Sequence, residues 1–123
     1  MTKRQILHVT DYKSPFAYLA KDPTYALEEE FDVAVEWRHF TLDIPSFLGA
    51  VETRSETEWR KVRYAYMDMR RWANKRGLTV RGPRRIYDSS PAGIGRQYAQ
   101  DQGVFRPYND RRFERFGNHE LAV

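Results

Sequence analysis

The chain has 123 residues, 41% of them apolar, with no cysteine and 21 Lys plus Arg against 17 Asp plus Glu, a net charge of +4. That length suits one domain with a modest core, and the lack of cysteine excludes disulfides, thiolate metal sites and dithiol redox chemistry carried by this chain. The mild positive charge attracts anions without selecting a partner, and no apolar run approaches the roughly 18 residues of a membrane span, so a cytoplasmic protein without a membrane partner is expected.

Ile6-Leu7-His8-Val9-Thr10 is a short β-favouring run stopped by Asp11, the pattern of a buried strand. Ser14-Pro15 then opens a helix: a serine hydroxyl can accept from the free amides of the first turn, and proline suits the first helical position, where no amide donor is needed. Such a strand-to-helix junction presents unpaired amides and the positive end of a helix dipole, which favours anions and thiolates. Ser14 is therefore the first candidate for chemistry, with simple capping as the alternative account. Asp22-Pro23 repeats the cap-plus-proline signal and predicts a broken or kinked helix with a second segment from Thr24 to Phe31. Val33 to Phe40 alternates β-branched and aromatic with polar residues, placing Val33, Val35 and Trp37 on one face of a second strand. Strand, helix, strand is a βαβ unit, and its two strands should be parallel.

Leu42, Ile44, Phe47 and Leu48 around Pro45 predict a turn or one short helix before Gly49. Ser55 with Glu58 forms a capping box, and Trp59, Val62, Tyr66, Met69 and Ala73 recur at helical spacing until Gly77. The basic residues Arg60, Lys61, Arg63, Arg70 and Arg71 on its other faces read as a solvated surface. Thr79 to Asp88 reads as a loop. Ser89 or Ser90 with Pro91 then caps a helix to about Gln102, and a last helix is expected from Pro107 to about Glu120 with Tyr108, Phe113 and Phe116 as core contacts. Two strands followed only by helices make an unfinished sheet with exposed edges. Helices could cover those edges, another copy of the chain could pair with them, or the chain could be a piece of a longer domain.

The strand followed by Asp11-Tyr12-Lys13-Ser14-Pro15-Phe16-Ala17-Tyr18-Leu19-Ala20, the second strand ending Glu36-Trp37-Arg38-His39-Phe40, and Lys61-Val62-Arg63-Tyr64 with Asp68 and Arg71-Trp72-Ala73 resemble the DsbA-like thioredoxin superfamily. Within it they look most like the branch of 2-hydroxychromene-2-carboxylate isomerases and kappa-class glutathione transferases, over about Ile6 to Leu121. The resemblance implies an α/β, thioredoxin-like βαβ start over 1–44, a helical insertion over 45–123, and one domain fragment with an incomplete sheet.

Redox members carry Cys-x-x-Cys where this chain reads Ser14-Pro15-Phe16-Ala17, so disulfide exchange is chemically closed to it. The resemblance instead implies that Ser14 hydrogen-bonds the sulfur of bound glutathione, favouring thiolate over thiol. It also implies that Lys61 contacts a glutathione carboxylate, as an ammonium suits such an anion. Phe16 and Trp37 are candidates for the wall of the cofactor and substrate pocket, with a place in the core as the alternative.

The family's second half, with its cis-proline loop, has no counterpart before Val123; His39 stands where proline is frequent; and no asparagine matches among Glu52, Thr53 and Arg54. A glutathione-dependent isomerase or transferase acting on a small molecule is thus expected, with weak or absent activity unless the missing half is supplied. The alternative is a non-catalytic interaction module that forms homo-oligomers through the open sheet edge. Nucleic-acid binding through Arg81, Arg84 and Arg85 is not expected, because no recognised motif accompanies them. No histidine spacing calls for a metal site.

Overall fold

A computed structural model describes residues 3–81 and 88–118. The element order is β1 (Arg4–Thr10), α1 (Pro15–Glu30), β2 (Val33–His39), α2 (Ile44–Leu48), α3 (Glu56–Arg76), α4 (Ser90–Asp101) and α5 (Phe105–Gly117). β1 and β2 pair in parallel, in a register running from Arg4 opposite Val33 to Thr10 opposite His39. This is the α/β class with an incomplete sheet. No helix among the described residues is long and apolar enough to cross a membrane. The predicted loop at 79–88 lies partly, and the tail beyond Asn118 wholly, outside the described residues, as do Arg84 and Arg85.

Of the break or kink expected at Pro23, the break is corrected: α1 is a single helix of 16 residues running through that residue. Proline removes the amide that would bond the Leu19 carbonyl. The guanidinium of Arg76, at the end of α3, donates to that carbonyl instead, and Thr24 Oγ1 donates to the next one, of Ala20, at 2.7 Å. Side chains thus meet the backbone acceptors around the proline, and the helix continues to Glu30.

The capping box of α3 forms as read, with Glu58 N donating to Ser55 Oγ at 3.2 Å and Ser55 N to Glu58 Oε1 at 3.0 Å. Its far end closes on Gly77 at φ 68°, a left-handed turn that glycine adopts at little cost. Val62, Met69 and Ala73 are buried along its apolar stripe, while Trp59 lies outside the core under the Arg54 guanidinium at 4.8 Å.

One further bound and one cap differ from expectation. α5 begins at Phe105, a half-turn before Pro107, because proline is tolerated in a first turn whose amides lack helical partners anyway. α4 does start at Ser90, but no serine side chain caps it.

Two clusters make the core. Leu19, Met69 and Ala73, with Tyr66, Leu78 and Val80 against them, join α1 to α3. Tyr12, Ala92 and Phe113, flanked by Ala17, Tyr18 and Tyr108, join the β1–α1 turn to α4 and α5. The second cluster lies beside the start of α1, so the packing of α4 and α5 determines where Ser14 stands.

Candidate functional site

The site grows from the turn between β1 and α1, at the carboxyl ends of the two strands, where open α/β sheets commonly place their ligands. Ser14 caps α1 in extended conformation, and its Oγ accepts from Ala17 N at 3.2 Å. Because the hydroxyl accepts there, its own proton is left to donate outward. Pro15 has no amide, Ala17 N is taken by Ser14 Oγ, and Tyr18 N bonds Ser14 O at 3.2 Å. Phe16 N is thus the first-turn amide left facing the helix end, and the Phe16 ring is exposed.

Asp11 holds this turn in place. Its side chain is only 5% exposed, yet every oxygen is used. Oδ1 accepts from Lys13 N at 3.1 Å and from the Ser89 hydroxyl; Oδ2 accepts from Leu42 N at 2.7 Å and pairs with Lys13 Nζ at 3.1 Å. One carboxylate therefore ties together the β1–α1 turn, the segment after β2 and the start of α4. The Lys13 ammonium, itself buried, cancels its charge. An anion at the start of α1 would then meet a neutral pair rather than a bare carboxylate.

His39 closes the other side. Its Nε2 lies 2.9 Å from Thr41 Oγ1, which lies 2.9 Å from Ser90 Oγ. The ring stacks on Tyr12 at 6.3 Å and sits so close over Gly93 that a Cβ there would fall 2.3 Å from its Cγ. Glycine is required at that position by the histidine. Burial pushes the His39 imidazole below its ordinary range, against the opposing pull of the Asp11 charge, and burial alone does the same to His8, which packs edge-on to Trp37 at 4.5 Å.

A base whose folded value is depressed binds protons less readily than the unfolded chain does. Stability from these rings is therefore complete above the ordinary value of 6.5 and is lost as pH falls from there through the folded values. Urea midpoints should drop between pH 7 and pH 5, and His39→Gln should flatten that slope; an unchanged slope would count against the assignment.

The other expected site residues stand in different surroundings. Lys61 is exposed on α3, a helix that packs on α1 and α2. Trp37 is 3% exposed, its ring between His8, Tyr25 at 5.5 Å and Phe105 at 5.3 Å. The structure thus brings Ser14 and Phe16 together on one turn, leaves Lys61 at the surface of a neighbouring helix, and encloses Trp37 in aromatic packing. Sequence reasoning missed the roles of Asp11 and Ser89 and the serine–threonine–histidine chain, because the links from Asp11 to Leu42, from Thr41 to Ser90 and from Asp11 to Ser89 span 31, 49 and 78 positions and carry no local signal; only Asp11 with Lys13 and His39 with Thr41 are near enough in the chain to be read as pairs.

A family model for the DSBA-like thioredoxin domain matches residues 5–121. The chain belongs to that family. In this DSBA-like domain the cap of α1 is Ser14, and the chain has no cysteine. A solved structure of 2-hydroxychromene-2-carboxylate isomerase shares the fold with a TM-score of 0.69 at 22% identity, covering 96% of this chain. The DSBA-like chain spans 58% of the length of that isomerase. No curated protein sequence matches it.

Proposed function

We propose that the start of α1 is a thiol-binding site, that glutathione is the thiol, and that the site serves an isomerase-type reaction on a small conjugated molecule in the cytoplasm. The observation that carries this reading is the Ser14 hydroxyl, which accepts from Ala17 N and so has its proton available for a sulfur in front of the helix. The Phe16 amide in the first turn and the positive helix end add to the same preference for thiolate.

The residues present suit that group. Phe16 offers an apolar wall beside the sulfur, exposed Lys61 offers a cation for a carboxylate, and Trp37 supports the strand from within. Glutathione when bound supplies a nucleophile for reversible addition to an activated carbon–carbon double bond, which allows rotation about that bond. Ser14 holds the sulfur in its charged form by donating one hydrogen bond, and the neutralised Asp11–Lys13 pair keeps a competing negative charge from the site. Likeness to the isomerase structure supports this choice over transfer or redox chemistry.

Titration with glutathione, followed by amide NMR, tests it. Shifts centred on Ser14, Phe16 and Ala17 are expected, with the bound thiol lowered by about one pH unit from its usual value near 8.5. Ser14→Ala should return that thiol to its ordinary range while leaving the fold intact, since losing a helix cap typically costs only about 1 kcal/mol. A spectrum that ignores glutathione at saturating concentration would remove the assignment.

A further inference from the structure

A cavity of about 390 Å3 lies along α5, lined by Val104, Pro107, Tyr108, Arg111, Arg112 and Arg115. Every one of these residues belongs to that helix or is its cap. They recur at steps of three and four, so they share one face over roughly 16 Å, while Asn109, Phe113 and Phe116 turn the opposite side into the core. The groove is apolar at its start and cationic at its end.

Like charges four positions apart on a helix repel, as Arg111 and Arg115 do here, so such a cluster calls for a counter-charge. Elsewhere on α5 the chain supplies one: Asp110 pairs with Lys21 at 2.9 Å, and Arg106 reaches Glu28 at 3.3 Å and Glu29 at 3.5 Å. Among the described residues no carboxylate pairs with Arg111 or Arg112, and Glu114 does not line the groove.

The cationic end is also built in advance. The Arg112 guanidinium lies over the Tyr108 ring at 5.2 Å, and the Tyr108 hydroxyl donates to Ala92 O at 2.7 Å. Gly95 makes room for that anchor, because a Cβ there would fall 2.3 Å from the Tyr108 hydroxyl oxygen. The ring is thus fixed between α4 and α5, and the cation above it is positioned before any ligand arrives. We propose that this groove binds a small amphiphilic carboxylate, its head against the Arg111 and Arg112 guanidiniums and its apolar body along Val104 and Pro107. A guanidinium fork matches the two oxygens of a carboxylate, and the apolar half of the groove adds to affinity only when the anion carries a hydrocarbon body.

Octanoate is the probe. Added to the 123-residue chain and followed by amide NMR, it should shift residues from Val104 to Arg115 with a dissociation constant of about 1 mM or tighter. Acetate and 1-octanol, each offering half of the ligand, should bind at least about tenfold more weakly. Arg111→Gln together with Arg112→Gln should weaken octanoate by at least about tenfold, as charge-assisted hydrogen bonds are lost.

Arg111 is exposed, so Arg111→Glu should fold as the parent does, and the carboxylate it places at the groove should weaken octanoate by at least about fivefold. Ser14→Ala should leave octanoate binding as it was, which separates this groove from the start of α1. The proposal is overturned by shifts that are absent at about 10 mM octanoate, that 1-octanol reproduces, that survive Arg111→Glu, or that vanish with Ser14→Ala.

Discussion

Replacing Asp11 by alanine is expected to destabilise the folded chain by about 3–5 kcal/mol, the range found when one partner of a buried ion pair is removed. The change strands a Lys13 ammonium whose side chain is 7% exposed, and it leaves Lys13 N, Leu42 N and the Ser89 hydroxyl without their acceptor. Each orphaned buried donor alone costs about 1–3 kcal/mol, so the total stays large even if water reaches one of them. Urea denaturation measures it as a lower midpoint at unchanged slope. Adding Lys13→Met to the alanine variant should recover part of the loss, because the unpaired charge is then gone. A loss below about 1 kcal/mol in the single variant would mean that the carboxylate does not tie the three segments together. The functional consequence follows from position: Asp11 lies three residues before Ser14, and loosening its turn should weaken glutathione shifts at Phe16 and Ala17 without touching either residue.

Phe113→Ala should cost about 3–5 kcal/mol, the usual range for deleting a fully buried aromatic ring. Phe113 has no exposed surface, meets Tyr12 edge-on at 4.8 Å and stacks with Tyr18 at 5.8 Å. Its removal opens a cavity between α5 and the start of α1. Tyr12 cannot collapse into it freely. Its hydroxyl donates to Asn109 Oδ1 at 2.9 Å, and Asn109 Nδ2 donates to Tyr25 Oη at 2.8 Å, so the Tyr12 ring is tethered through Asn109 to Tyr25. Burial correspondingly raises the Tyr12 and Tyr25 phenols well above their ordinary range, which keeps both hydroxyls protonated as donors. Phe113→Leu, which retains most of the volume, should lose less than half as much. Equal losses for the two variants would show that shape at this point matters less than the packing implies.

Most of the element plan was legible because it rests on local physics. The Ser55–Glu58 box, the three-and-four spacing to Ala73 and the Gly77 stop are neighbours within one helix, and they define α3 before anything packs against it. The parallel pairing of β1 with β2 follows from a strand, a helix and a strand in succession. The continuity of α1 was not legible. Whether Pro23 breaks the helix depends on who bonds the Leu19 carbonyl, and that donor is Arg76, 57 positions away. Ser89 shows the same limit: a serine before Ser-Pro reads as a cap, but in the fold it is wholly buried and donates to Asp11.

By itself, then, the sequence determined the order of elements, the Ser14 cap with its spare proton and the exclusion of cysteine chemistry, because each depends on residue type and on neighbours within a turn. Tertiary structure decided the rest. It decided that Asp11 and Lys13 form a buried neutral pair under Ser14, that His39 rests on Gly93, and that Arg96 and Glu28 meet the outer backbone groups of β2. Those outcomes depend on which distant groups meet when the helices dock, and burial makes each meeting obligatory: a polar group removed from water must find whatever partner the packing brings.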